Sequence, residues 1–184
     1  MTAHPTAALA PLRARKGQRR TPGLDDATIA RFAAGHPELV AAIDAAAAEF
    51  ARVQADFADL LDLDEDAQIQ AIQAGFVNFY PQDGVNPYVA LAARGPWIVT
   101  LKGAVLYDTG GYGMLGFGHA PAKVLEAMSK PQALANIMTP SLSQLRLERA
   151  LRAEIGHSTG GCPYAAFMCL NSGSESVSLA ARIA

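Results

Sequence analysis

The sequence predicts an α/β fold opened by a helical extension, and three observations carry that reading. Leu39, Val40, Ile43, Ala46, Ala47, Phe50, Val53, Phe57, Leu60 and Leu61 recur at three- and four-residue spacing, the mark of an amphipathic helix. Trp97–Leu101 and Ala104–Asp108 are β-prone runs separated by Lys102-Gly103, which reads as a hairpin. Finally, the apolar run Ala165–Leu170 breaks at Asn171-Ser172-Gly173-Ser174-Glu175 into a last helical pattern, as a strand buried on both faces does when it turns into a helix.

Taken in order, residues 1–24 contain no Asp or Glu but carry Arg13, Arg15, Lys16, Arg19 and Arg20. A transit peptide has such a composition, but Ala, Pro and Arg enriched together, with no secretory apolar stretch, read better as a disordered basic tail. Residues 25–84 form the helical extension, to lie on the main domain or on a second subunit. Pro37 suits a helix start, and Glu38 adds favourable first-turn charge. Asp64 can cap a short helix carrying Ile69 and Ile72, with Gly75 ending it. Residues 85–184 hold the hairpin, a glycine-rich loop over Gly110–Gly118, a short helix over Ala122–Met128 behind Pro121, and a capping box at Ser141–Gln144 that opens a helix through Leu145, Leu151 and Ile155.

Composition removes several classes of function. With 51 % apolar and 17 % charged residues the chain is globular rather than disordered. A net charge of −2 provides no field for nucleic acid or an anionic membrane. No apolar run is long enough to span a bilayer. With Cys162 and Cys169 alone, no disulfide framework is expected, and the cytoplasm is the expected location. His119 and His157 with those two cysteines fit no closed tetrahedral metal pattern. Gly111-Tyr112-Gly113-Met114-Leu115-Gly116 matches a nucleotide fingerprint in letters, but the next helix starts only after Pro121. No Asp or Glu lies between Ala127 and Leu147 to take a ribose.

The Asn171–Glu175 turn is the chemical signal. A helix N-terminus presents unpaired N–H groups and the positive end of its dipole, which together favour an anion. Gly173 lets a ligand approach the backbone, and Ser172 and Ser174 add hydroxyl donors. Phe167–Val177 followed by Ala180-Ala181-Arg182 resembles the phosphate-cup segment of class III, fold-type I pyridoxal-phosphate-dependent aminotransferases. Tyr107-Asp108, the glycine-rich stretch, Gly118-His119 and the helix Lys123–Ala127 follow that family's order and spacing. The resemblance spans roughly residues 87–184.

The resemblance implies a large domain with a mostly parallel sheet around pyridoxal 5'-phosphate, of which 85–184 would be the start, and a homodimer or higher homo-oligomer. It implies that Ser172, Gly173 and Ser174 bind the cofactor phosphate and that Tyr112 lines the substrate pocket. The reaction it implies is amino transfer between an amine or amino acid and a keto acid. Decarboxylation, racemisation or amino-mutation on the same cofactor are alternatives, since fold and cofactor do not fix the reaction. So is a non-catalytic helical interaction module, in which the turn is only a cap. The lysines are Lys16, Lys102, Lys123 and Lys130, and none stands in the family's Schiff-base context; Lys102 reads as a turn residue. No catalytic residue is therefore assigned. The chain is expected to be the N-terminal portion of a longer enzyme and inactive alone.

Overall fold

The computed structural model describes residues 5–77, 88–110, 116–131, 133 and 138–183. The chain divides into two compact units, Met1–Ser129 and Lys130–Ala184.

In the first unit a 3-10 turn over Pro5–Leu9 runs into the one-turn helix α1 (Ala10–Arg13). The basic segment that composition reads as a disordered tail is thus packed. Leu9 and Leu12 are fully buried in the core, and two buried leucines offset the ordering of a short, Ala- and Pro-rich segment. Next come α2 (Asp26–Ala33), capped by Asp25, and α3 (Pro37–Asp56), with Pro37 in its first turn as expected. One face of α3, made of Leu39, Ala42, Ile43, Ala46 and Phe50, is buried. The stripe does not continue as one helix. It breaks at Phe57, which is exposed, into the short α4 (Ala58–Leu61).

The next helix, α5 (Glu65–Gln73), buries polar residues at the start of the face that carries Ile69 and Ile72. Glu65 and Gln68 are buried, while Ile72 is exposed. Hydrogen bonding explains the buried polar pair. One Glu65 carboxylate oxygen accepts the N–H groups of Arg20 and Thr21, each at 2.7 Å, and Gln68 Nε2 donates to the Leu60 carbonyl at 2.9 Å. Asp64 does not cap α5 through its side chain; its Oδ1 accepts from the Gln18 N–H at 2.6 Å instead.

The sheet consists of β1 (Ala90–Arg94), β2 (Trp97–Thr100) and β3 (Val105–Tyr107), in the order β1-β2-β3. Both pairings are antiparallel: Arg94 faces Trp97 across the first, and Trp97 faces Tyr107 across the second. The expected hairpin is therefore present, but a mostly parallel sheet is not what the described residues form. The reason is connection length, because a parallel pair needs a crossover of about a dozen residues or more. Here Gly95-Pro96 and Leu101–Ala104 are the only links. The core lies between α3 and the strands β1 and β2, and Trp97, Val99, Leu101 and Val105 belong to one buried cluster with the inward face of α3. The helical extension thus lies on the hairpin of its own chain. Helix α6 (Ala122–Ser129) follows Pro121 as expected.

The second unit contains α7 (Leu142–Gly156) and α8 (Gly173–Ile183). Ser141 and Gln144 form the expected capping box on α7. Residues 165–170 are not a strand, which corrects the expectation of a buried strand there. Met168 and Leu170 are exposed, and a strand satisfies its backbone through neighbouring strands, which this segment does not have among the described residues. It is held from α7 instead: Arg152 donates to the Tyr164 and Ala165 carbonyls at 2.8 Å each, and its guanidinium lies over the Phe167 ring. Among the described residues no helix is long and apolar enough to cross a membrane.

Candidate functional site

Ser172, Gly173 and Ser174, the residues expected to hold a phosphate, stand together where α8 begins. Ser172 Oγ accepts the Glu175 N–H at 3.2 Å, and Glu175 Oε2 accepts the N–H groups of Ser172 and Asn171, each at 3.1 Å. This is a reciprocal capping box, a feature that the Ser-x-x-Glu spacing alone could have revealed. It leaves the N–H groups of Gly173 and Ser174 without a partner among the described residues. Space around Gly173 is open, since a Cβ there would meet nothing within 4 Å. The turn therefore offers two backbone donors, two hydroxyls and a helix dipole to an anion, a donor set that fits a phosphate. The Glu175 carboxylate beside it is the opposing feature. Tyr112 lies outside the described residues.

No protein-family model, curated protein or solved structure matches the chain.

In the first unit, a second arrangement was not read from sequence as a site. His119 Nε2 lies 2.8 Å from Asp108 Oδ2, and both side chains are about four-fifths buried. The other carboxylate oxygen of Asp108 accepts the Gly110 N–H at 2.9 Å, while its backbone N–H donates to the Pro96 carbonyl at 2.7 Å. His119 pairs through its backbone with Gly95 in an isolated antiparallel bridge. A cleft of about 540 Å³ is lined there by Glu38, Tyr107, Asp108, Phe117 and His119, together with glycines. Burial, and then the negative charge of Asp108, push the Tyr88 phenol up from its ordinary value. A carboxylate that fixes an imidazole is the arrangement of a proton acceptor or donor. It serves equally to fasten the two ends of the glycine-rich loop. The signal for it was present in Tyr107-Asp108 and Gly118-His119, which a loop of glycines can bring back together.

Lys102 is in the β2–β3 turn as expected, but it is buried. Its Nζ donates to the carbonyls of Lys16 at 2.6 Å and Leu61 at 3.1 Å.

Proposed function

We propose that the chain supplies the phosphate end of a pyridoxal-phosphate site in an aminotransferase that passes an amino group between an amine or amino acid and a keto acid. What supports the reading is the turn at Asn171–Glu175, whose residues match the family's phosphate cup and whose Gly173 and Ser174 N–H groups stay open at the start of an eleven-residue helix. The order of motifs from Tyr107 to Arg182 supports it as well. The reading rests on that turn and order, not on the sheet. Ser172, Gly173 and Ser174 would hold the phosphate, through backbone N–H and hydroxyl donors. The cofactor, when bound, supplies an electron sink for the substrate carbon that bears the nitrogen. None of the four lysines stands in the family's lysine context, so these residues serve binding and not covalent attachment. A cytoplasmic homodimer is part of the same proposal, as is decarboxylase, racemase or aminomutase chemistry as its alternative.

A second reading has one observation in its favour. Glu175 already satisfies the Asn171 and Ser172 N–H groups, as it would in a turn that only caps a helix of a non-catalytic interaction module. Intact mass of the protein from its native source, before and after borohydride reduction, separates the two. A phosphopyridoxyl adduct gained on reduction supports the aminotransferase. No adduct, in a protein supplied with excess pyridoxal phosphate, overturns it and leaves the module.

A further inference from the structure

A cleft of about 450 Å³ opens beside α1 and the β2–β3 turn, lined by Arg13, Arg15, Arg19, Lys102, Asp25 and Asp26 among others. Its volume is that of a small-molecule site, for which about 300–1,000 Å³ is usual. The polar groups around it can be accounted for one by one. Asp25 accepts from Thr28 at the start of α2, and Asp26 accepts from Arg13 at 2.7 Å. The carboxylates on the far side of Lys102 are engaged too. Asp62 accepts from Arg15 and from the Lys16 N–H, Asp64 from the Gln18 N–H, and Glu65 from Arg20 and Thr21.

Glu65 Oε1 is buried without a partner but does not line the cleft; among the lining residues the groups left over are donors. Arg15 Nε is buried and has no hydrogen-bond partner. Lys102, 4 % exposed, has three protons and two carbonyl acceptors. Arg19 has no ion pair among the described residues. A buried, unpartnered guanidinium nitrogen loses hydration without compensation until an acceptor arrives. Three separate cationic groups around one cleft suit a tetrahedral oxyanion with several acceptor oxygens better than a planar carboxylate, which a single guanidinium fork satisfies.

We propose that this cleft binds the phosphate group of a small organic phosphate, held by Arg15, Arg19 and Lys102. Recognition is by charge-assisted hydrogen bonds, and the remaining volume houses the rest of the molecule. This site is independent of the turn at Ser172–Ser174, and the test keeps the two apart.

Titration of the 184-residue protein with inorganic phosphate, followed by residue-resolved amide NMR and matched in ionic strength with sodium chloride or sodium acetate, reads it directly. Saturable shifts at Gly17 and Gly23, which line the cleft, are expected with phosphate and not with the other two salts. Arg19→Glu, at an exposed side chain whose exchange leaves the core intact, is expected to weaken that response by about tenfold or more. Phosphate shifts confined to Gly173 and Ser174, equal responses to acetate, or an unchanged response in Arg19→Glu would each overturn the proposal.

Discussion

The Asp108 carboxylate and the His119 imidazole meet at 2.8 Å across eleven residues of sequence, one at the end of β3 and the other beyond the glycine-rich loop. Backbone bonds reinforce the meeting, because Gly95 and His119 exchange N–H···O contacts at 3.0 and 2.7 Å. The pair therefore fastens the loop to the hairpin at two levels, side chain and main chain.

Removing the carboxylate should loosen that fastening. Asp108→Ala loses the imidazole contact and the acceptor of the Gly110 N–H together. A destabilisation of about 1–2 kcal/mol is expected from hydrogen bonds of this partly buried kind. Urea unfolding followed by Trp97 fluorescence measures it, since Trp97 is the single tryptophan and packs on Tyr107 with ring centroids 5.0 Å apart. An unchanged midpoint would mean that the backbone bridge alone holds the loop.

Next to this pair, Ala120 has a φ of 49°. An L-residue there brings Cβ close to the neighbouring carbonyl, at a cost of roughly 1–2 kcal/mol. Ala120→Gly relieves that strain and adds unfolded-chain entropy of about 0.4–1 kcal/mol in the opposite direction. The expected net result is a small gain in stability, where an Ala→Gly change elsewhere in the chain lowers it. A fall in the urea midpoint would show that the Ala120 methyl packs usefully enough to outweigh its backbone.

Lys102 gives an alkaline signature. Burial lowers its pKa from the ordinary 10.5, partly opposed by the charges of Asp62, Asp64 and Glu65, while Arg15 adds to the lowering. The folded state then holds this proton less tightly than the unfolded chain does. Stability from this group should rise with pH through the window between the lowered value and 10.5, and be lost as pH falls through the lowered value. Lys102→Met keeps the apolar stem and removes the titration. Thermal midpoints measured across that window should climb less steeply in the variant than in the wild type; parallel curves would refute the shift.

How much of this was legible in the sequence depended on where each residue's energy comes from. Helices α3, α6 and α7 were readable because Pro37, Pro121 and the Ser141–Gln144 box are local start signals and the apolar period acts within one helix. Strand β1, Ala90–Arg94, was missed because Ala-Leu-Ala-Ala-Arg has little β-preference of its own and forms only by pairing with Trp97–Thr100. The inward Glu65 and Gln68 were unreadable for a related reason, since their partners, Arg20, Thr21 and Leu60, are backbone groups that leave no trace in side-chain hydropathy. At the candidate site, Ser172–Ser174 could be placed from local turn chemistry alone. Asp108 and His119 could be paired only once the chain had folded back at Gly95.

Asp25 supplies the acid-side counterpart. The Thr28 N–H, at 2.8 Å from its Oδ1, is the main cause of a pKa below the ordinary 3.8, followed by the Thr28 hydroxyl. The folded state favours the ionised cap, which also faces the positive end of the α2 dipole. Its stabilising contribution is therefore complete above 3.8 and disappears as pH falls through the lowered folded value. Asn caps nearly as well as Asp but does not titrate. Melting temperatures of the wild type and Asp25→Asn, taken from neutral pH down past 3.8, should show the wild type ahead at neutral pH and the difference closing in acid. A difference that stays constant through that range would mean that Asp25 acts through its geometry alone and its charge has no part in holding α2.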